Sequence, residues 1–150
     1  MTKADVVAAQ GNWAKYVVAR DVEALLKLYD FGSPEKPLLF KPTLANVIRH
    51  DEEAARSYFI GGNIGYPHDD GFLNCGWKKV TFCSAVGPIS ENGGLSFRDM
   101  GNYTFADGNG NETHADYTFM YHKLNGVVLI ALQHSSLVWE PRDGDSEMLV

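Results

Sequence analysis

The sequence predicts an α+β protein, a curved, mostly antiparallel sheet with N-terminal helices packed on its concave face. Three observations carry that expectation. Apolar residues recur at helical spacing through the first part of the chain, from Ala4 to Asp30. From Trp77 onward the chain reads as strand-like runs separated by Gly- and Asn-bearing turns. Asn125-Gly126 sits between two such runs, the strongest short-range signal for a hairpin. With 150 residues, 45% hydrophobic and 12% aromatic, the chain is long and apolar enough for one domain over residues 1–150, ending in a polar tail from about residue 141.

The elements follow in order. In the first helical piece Trp13, Tyr16 and Val17 share a face, and Thr2 or Asp5 stands where the helix starts. In the second, Val22, Leu25, Leu26 and Tyr29 follow the i, i+3, i+4, i+7 pattern behind Asp21 as cap. A Gly- and Pro-punctuated link over residues 31–37 leads to a short strand, Leu38 to Leu44, in which Pro42 marks an edge or an end. Asp51 caps a helix that carries Ala54, Ala55, Tyr58 and Phe59 and stops at Gly61-Gly62. Residues 63–76 form a long loop, of the kind that serves as a lid or mobile segment. Strands are then expected over residues 77–86, 95–106, 112–123 and from Val127 onward.

Several function classes are excluded or disfavoured. A formal charge of -6 argues against a nucleic-acid partner, which needs clustered Lys and Arg. No apolar run approaches the roughly 20 residues of a membrane span. Residues 1–10 show no signal or transit features, so a cytoplasmic protein or a trimmed mature one is expected. Cys75 and Cys83 lack CxxC spacing, leaving buried structural thiols or a disulfide. His114 and His122 are far apart on one strand, roughly 26 Å at about 3.3 Å per residue, and no HxH or HExxH pattern occurs. Neither a metal site nor a cofactor is expected.

Pairing arithmetic across Asn125-Gly126 sets Leu124 opposite Val127, His134 opposite Tyr117 and Ser136 opposite Ala115. If Ala106 opposes Glu112, Tyr103 lies level with Ala115. One face then gathers Phe97, Asp99, Tyr103, Phe105, Tyr117, Phe119, Tyr121, Ile130, Leu132, His134 and Ser136, an aromatic concavity with polar groups at one end. The other face, with Leu129, Ala131, Gln133, Ser135 and Leu137, is apolar enough to predict a homodimer there. A bulge, with Gly101 as candidate, would invert part of this register. His134 and Ser135 point to opposite faces of a strand and no GxSxG surrounds them, so covalent catalysis is disfavoured against serines satisfied by backbone.

The segments FKPTLANVIR (Phe40 to Arg49), RSYFIGGN (Arg56 to Asn63), DDGFLNCGWKKVTF (Asp69 to Phe82), GNYTF (Gly101 to Phe105) and QHSSLVWEP (Gln133 to Pro141) together resemble the iota-class carbonic anhydrase domain, and the algal repeated modules more than the bacterial form. Gln133 replaces the first histidine of the family's usual HHSS; by the pairing above it faces outward and is not expected to matter. The resemblance implies a cystatin-like, SnoaL-type cone and reversible hydration of carbon dioxide to bicarbonate. It implies work without a metal, by hydroxyls carried over onto Thr43, Tyr58 and Ser136 as catalytic residues. Tyr103 is the rival to Tyr58, and Tyr103, His134 and Ser135 are expected around the substrate, His134 as an orienting or proton-handling group. An algal module would reside in the chloroplast after loss of its transit peptide. The competing readings are a cone-fold isomerase or cyclase with Asp99 as general base, and a non-catalytic association module.

Overall fold

The structure, a computed structural model, describes residues 1–142; most of the polar tail expected from about residue 141 lies outside the described residues. Helix α1 (Lys3–Ala19) begins with a reciprocal capping box: Thr2 Oγ1 accepts from the Asp5 amide, and the Thr2 amide donates to Asp5 Oδ2 at 2.8 Å. Its inward stripe is Val6, Gln10, Trp13 and Val17, with Tyr16 only partly covered. Arg20 closes the helix in the left-handed region, and Asp21 caps α2 (Val22–Leu26) by accepting from Ala24 N. Helix α3 (Glu52–Ile60) starts at Asp51, which accepts from Ala54 N, and ends at Gly61. No helix of the described residues is long and apolar enough to cross a membrane.

Residues 31–37, expected as a plain link, close into a small hairpin of β1 (Gly32–Ser33) and β2 (Lys36–Pro37). The main sheet has the order β3 (Leu39–Lys41), β8 (Val127–Leu137), β7 (Glu112–Leu124), β6 (Ser96–Asp107), β4 (Trp77–Ser84), with β5 (Ile89–Glu91) also paired to β6. Among the described residues every pairing between two strands of this sheet is antiparallel except β3 with β8, so the sheet is mostly antiparallel with one parallel edge strand. That edge strand stops at Lys41, just before Pro42, which has no amide to continue a ladder. Helix α1 packs across β4 and β8, and the core fills the space between helices and sheet.

The β6–β7 register is the expected one: Ala106 faces Glu112 and Tyr103 faces Ala115. The tight turn is also as expected, with Asn125 at φ 50° and Gly126 at φ 81°, the two positive values a two-residue I′ turn requires. The β7–β8 pairing begins as predicted, Leu124 on Val127, and then slips. Tyr121 pairs with Ile130 but Met120 pairs with Leu132, leaving Ala131 as an extra residue in β8. Beyond it Thr118 faces His134, Tyr117 faces Ser135 and Asp116 faces Ser136.

The slip lies where β8 changes its edge neighbour. Ile130 bridges in parallel to Tyr29, accepting from Asp30 N at 2.9 Å and donating to Leu28 O at 2.8 Å. Leu132 instead pairs with Leu39 of β3. Every side chain beyond the bulge therefore changes face. Gln133 and Ser135, expected outside, are buried inside; His134 is exposed and Ser136 half-buried on the outside. Leu132 likewise joins Met100 and Met120 on the outer side.

Gly101 is not a bulge. A Cβ there would lie 2.0 Å from the Cys83 carbonyl oxygen, so the absence of a side chain lets β4 approach. Cys75 and Cys83 are free and both exposed, which corrects the expectation of buried thiols and removes the disulfide alternative.

Candidate active site

Strand β3 is short, but its parallel ladder with β8 determines where the next residues go. Lys41 pairs with His134, and its Nζ donates to the Ser135 carbonyl at 3.0 Å. Two residues on, Thr43 Oγ1 comes within 2.5 Å of Ser135 Oγ. Ser135 Oγ also accepts from Tyr103 OH at 2.6 Å, and Tyr103 OH accepts from Gln133 Nε2 at 3.3 Å. Gln133 Oε1 accepts from Tyr29 OH at 2.6 Å, and Tyr29 OH accepts from Trp13 Nε1 at 3.0 Å. Six side chains from five segments thus form one buried chain of neutral hydrogen-bonding groups. Burial of so many polar atoms is tolerable only because each has a partner.

Tyr58 approaches from α3. Its hydroxyl accepts from the Leu44 amide at 3.2 Å, next to Thr43, and its ring stacks on Phe72 at 5.4 Å. Phe40 meets Tyr58 edge-on at 5.9 Å, and Trp13 stacks on Tyr103 at 5.6 Å. Desolvation pushes the Tyr58 and Tyr103 hydroxyls above the ordinary phenol range, against the smaller opposing effect of hydrogen bonds from Leu44 and to Ser135 respectively. Both are therefore proton donors at neutral pH, not bases.

Two cavities meet at this cluster. One of about 520 Å³ is lined by Thr43, Leu44, Val47, Arg49, Tyr66 and His68 among others. The second, of about 140 Å³, is lined by Tyr58, Leu44, His68, Asp70, Phe72 and Cys75 among others. Leu44, His68 and Asp69 belong to both. Ser135 stands one hydrogen bond behind the wall that Thr43 presents.

The long loop forms the roof of these cavities and is pinned rather than loose. Arg49 grips Asp69 through two hydrogen bonds of 2.7 Å and holds Ala54 O at 2.9 Å. Ser57 Oγ adds a 2.6 Å bond to Asp69, and the Tyr66 ring lies 4.1 Å from the guanidinium. Burial raises the Asp69 carboxyl, but the bonds from Arg49 and Ser57 outweigh it and leave the group below the usual carboxylate range.

Of the residues expected here, the structure brings together Thr43, Tyr58, Tyr103 and Ser135. It does not bring in Ser136 or His134, because the extra residue at Ala131 turns both to the outer face. Gln133 was expected outside and is an inner member of the chain. Trp13, Tyr29 and Arg49 had no functional reading. Their signal is a polar end on a residue in an otherwise apolar face, which must find a partner when buried.

Among the described residues, no three His, Cys, Asp or Glu side chains converge in a way that could hold a metal ion. Asp99 is buried inside the cone, but in a separate cluster: its Oδ2 accepts from Gln10, Ser84 and Tyr117. None of these three appears in the Thr43 chain.

Comparison with known proteins places these features. A family model described as metal-independent carbonic anhydrase matches residues 4–137. A curated metal-independent carbonic anhydrase from Nostoc sp. (strain PCC 7120) is 33% identical over 157 residues, spanning 93% of this chain and 75% of that protein. The crystal structure of a cyanobacterial iota-carbonic anhydrase complexed with bicarbonate superposes with a TM-score of 0.84 at 30% identity, covering 94% of each chain. A protein from Xanthomonas campestris described as a calcium/calmodulin dependent protein kinase II association domain has a TM-score of 0.69 at 26% identity, covering 91% of this chain and 87% of that one. More distant structures with NTF2-like and cystatin-like folds share the fold alone. The two carbonic anhydrases are cyanobacterial and lend no support to the algal likeness expected from the sequence.

Proposed function

From a chain that belongs to the metal-independent carbonic anhydrase family, and so catalyses the reversible hydration of carbon dioxide to bicarbonate, we propose a site made of the hydroxyls of Thr43, Ser135 and Tyr103, with the Tyr58 hydroxyl beside Thr43 at the Leu44 amide. The observation that supports it is the meeting of three hydroxyls, with Thr43 and Tyr103 at 2.5 and 2.6 Å from the Ser135 oxygen, directly behind a cavity wall. Carbon dioxide is uncharged and suits the aromatic surround. As water oxygen bonds to its carbon, charge grows on the two original oxygens, and O–H donors already aimed at that place stabilise it. The low polarity of the surround makes each such bond stronger than in water.

The attacking water must lose a proton to give bicarbonate. The buried tyrosines, held protonated, do not take it. Asp69 is committed to Arg49. We assign the outward transfer to His68, which lines both cavities at the mouth and is exposed to solvent. His134, on the far side of the sheet, loses that role. A homodimer is proposed through the outer face, where Met100 is 61% and Val86 78% exposed beside an apolar groove of about 390 Å³.

The test is stopped-flow hydration on exhaustively chelated protein, comparing Ser135→Ala with Ser136→Ala. Activity that survives chelation, collapses in the first variant and persists in the second supports the reading. The opposite ranking of the two serines, or activity restored only by added metal, overturns it.

A further inference from the structure

The six-membered chain has a direction. Trp13 Nε1–H is a donor and nothing else, so Tyr29 OH accepts from it and must send its single proton onward, to Gln133 Oε1. That orients the amide, whose Nε2 then faces Tyr103 OH. With its oxygen occupied, Tyr103 sends its own proton to Ser135. Ser135 can then donate to Thr43 Oγ1, which leaves the Thr43 O–H, at the cavity wall beside the Tyr58 hydroxyl, as the chain's last donor. Each bond polarises the next, so a donor fixed at one end strengthens the donor at the other.

We propose that Trp13, Tyr29 and Gln133 are positioning residues that orient every hydroxyl proton toward the Thr43 end, so that the site meets its substrate as a donor. This deepens the hydration reading and rests on it. The decisive link is Gln133, the one group of the chain that accepts through one atom and donates through another. Any replacement must keep that duality. A neutral histidine can, with one ring nitrogen accepting and the other donating; an ionised glutamate cannot, because it accepts on both sides and draws the Tyr103 proton away from Ser135.

The experiment compares Gln133→His, Gln133→Leu and Gln133→Glu with the unaltered protein by stopped-flow hydration across pH, with thermal melts alongside. Gln133→His should keep kcat/KM within a few-fold, and Gln133→Leu should lose about tenfold, the worth of one hydrogen bond in the transition state. Gln133→Glu, the closest match in shape, should gain a pH limb the unaltered protein lacks. It is active while the carboxylic acid keeps its proton, since that form again both donates and accepts, and activity falls as the group ionises with rising pH. A purely structural role predicts the reverse order, with glutamate mild, histidine and leucine severe, and no new limb; that result overturns the proposal.

If Gln133→Glu fails to fold, the Tyr29→Phe and Gln133→Leu pair decides. Once the chain is cut at Gln133, removing the Tyr29 hydroxyl should cost nothing further, and full additivity refutes the directed chain. Absence of turnover in the unaltered protein would instead count against the hydration reading itself.

Discussion

The cone contains two buried polar clusters of opposite design. Around Ser135 the groups are all neutral and connect in a line, in which Trp13 only gives and the inner members give one proton and take one. Around Asp99 they converge: Gln10, Ser84 and Tyr117 all donate to one carboxyl oxygen, while Oδ1 is buried with no hydrogen-bond partner among the described residues. A line transmits an orientation to its end, where a ligand can use it. A convergence consumes its donors on the spot and offers none outward. The contrast supports the proposed site at the first cluster and gives the second the holding of α1 against β4 and β6.

Substitutions can break or sharpen that contrast. The largest effect expected is in the line: Ser135→Ala and Thr43→Val should each lower kcat/KM by about a hundredfold, the loss typical of one transition-state donor. Stopped-flow assays with melting curves unchanged to within a few degrees would confirm it; a loss below threefold would remove these hydroxyls from the chemistry. Next comes the roof. Arg49→Met leaves Asp69 buried without its counter-charge and should cost about 3–5 kcal/mol in urea unfolding.

The same pair sets an acid limit. The Asp69 carboxyl ionises at lower pH in the folded chain than in the unfolded one, so its contribution is complete above the unfolded value of about 3.9 and is lost as pH falls through the lower folded value. Acid unfolding monitored by Tyr and Trp fluorescence should steepen below about pH 4 in the unaltered protein and flatten there in Arg49→Met.

Asp99→Asn should change stability by about 1–3 kcal/mol and leave hydration within a few-fold; a collapse of turnover in a folded variant would transfer the chemistry to the convergent cluster. His68→Ala should lower kcat by about tenfold in weak buffer and recover with added imidazole, while oxygen-isotope exchange between carbon dioxide and bicarbonate holds. The smallest effect is alkaline: with Tyr58 and Tyr103 raised by burial, no tyrosine-dependent loss of activity should appear below about pH 10.

Much of this was readable from residue order, for reasons local to each element. Caps at Thr2, Asp21 and Asp51 announce helices because their side chains serve nearby amides. Asn125-Gly126 sets the hairpin because few other residues tolerate two positive φ values. Alternation placed Phe97 through Tyr121 on the inner face because one face of the sheet is buried. The serine that completes the proposed site was not readable by the same means. The slip at Ala131 answers to partners about a hundred residues away, Tyr29 on one side and Leu39 on the other, and no glycine or proline marks it. Gly101, the marked position, answers to a close approach of β4 instead.

The bulge at Ala131 also makes the strand's inventory a matter of counting. Pair that single alanine with Met120 instead of leaving it extra, let β8 zip on in its original phase, and the same letters QHSS would show the cavity an imidazole and the second serine, with the amide and the first serine thrown outward. The pairing of one residue, carrying no functional group, separates two different surfaces. In relatives of this chain the strand pairing at that position therefore decides which histidine or serine of the motif corresponds to which.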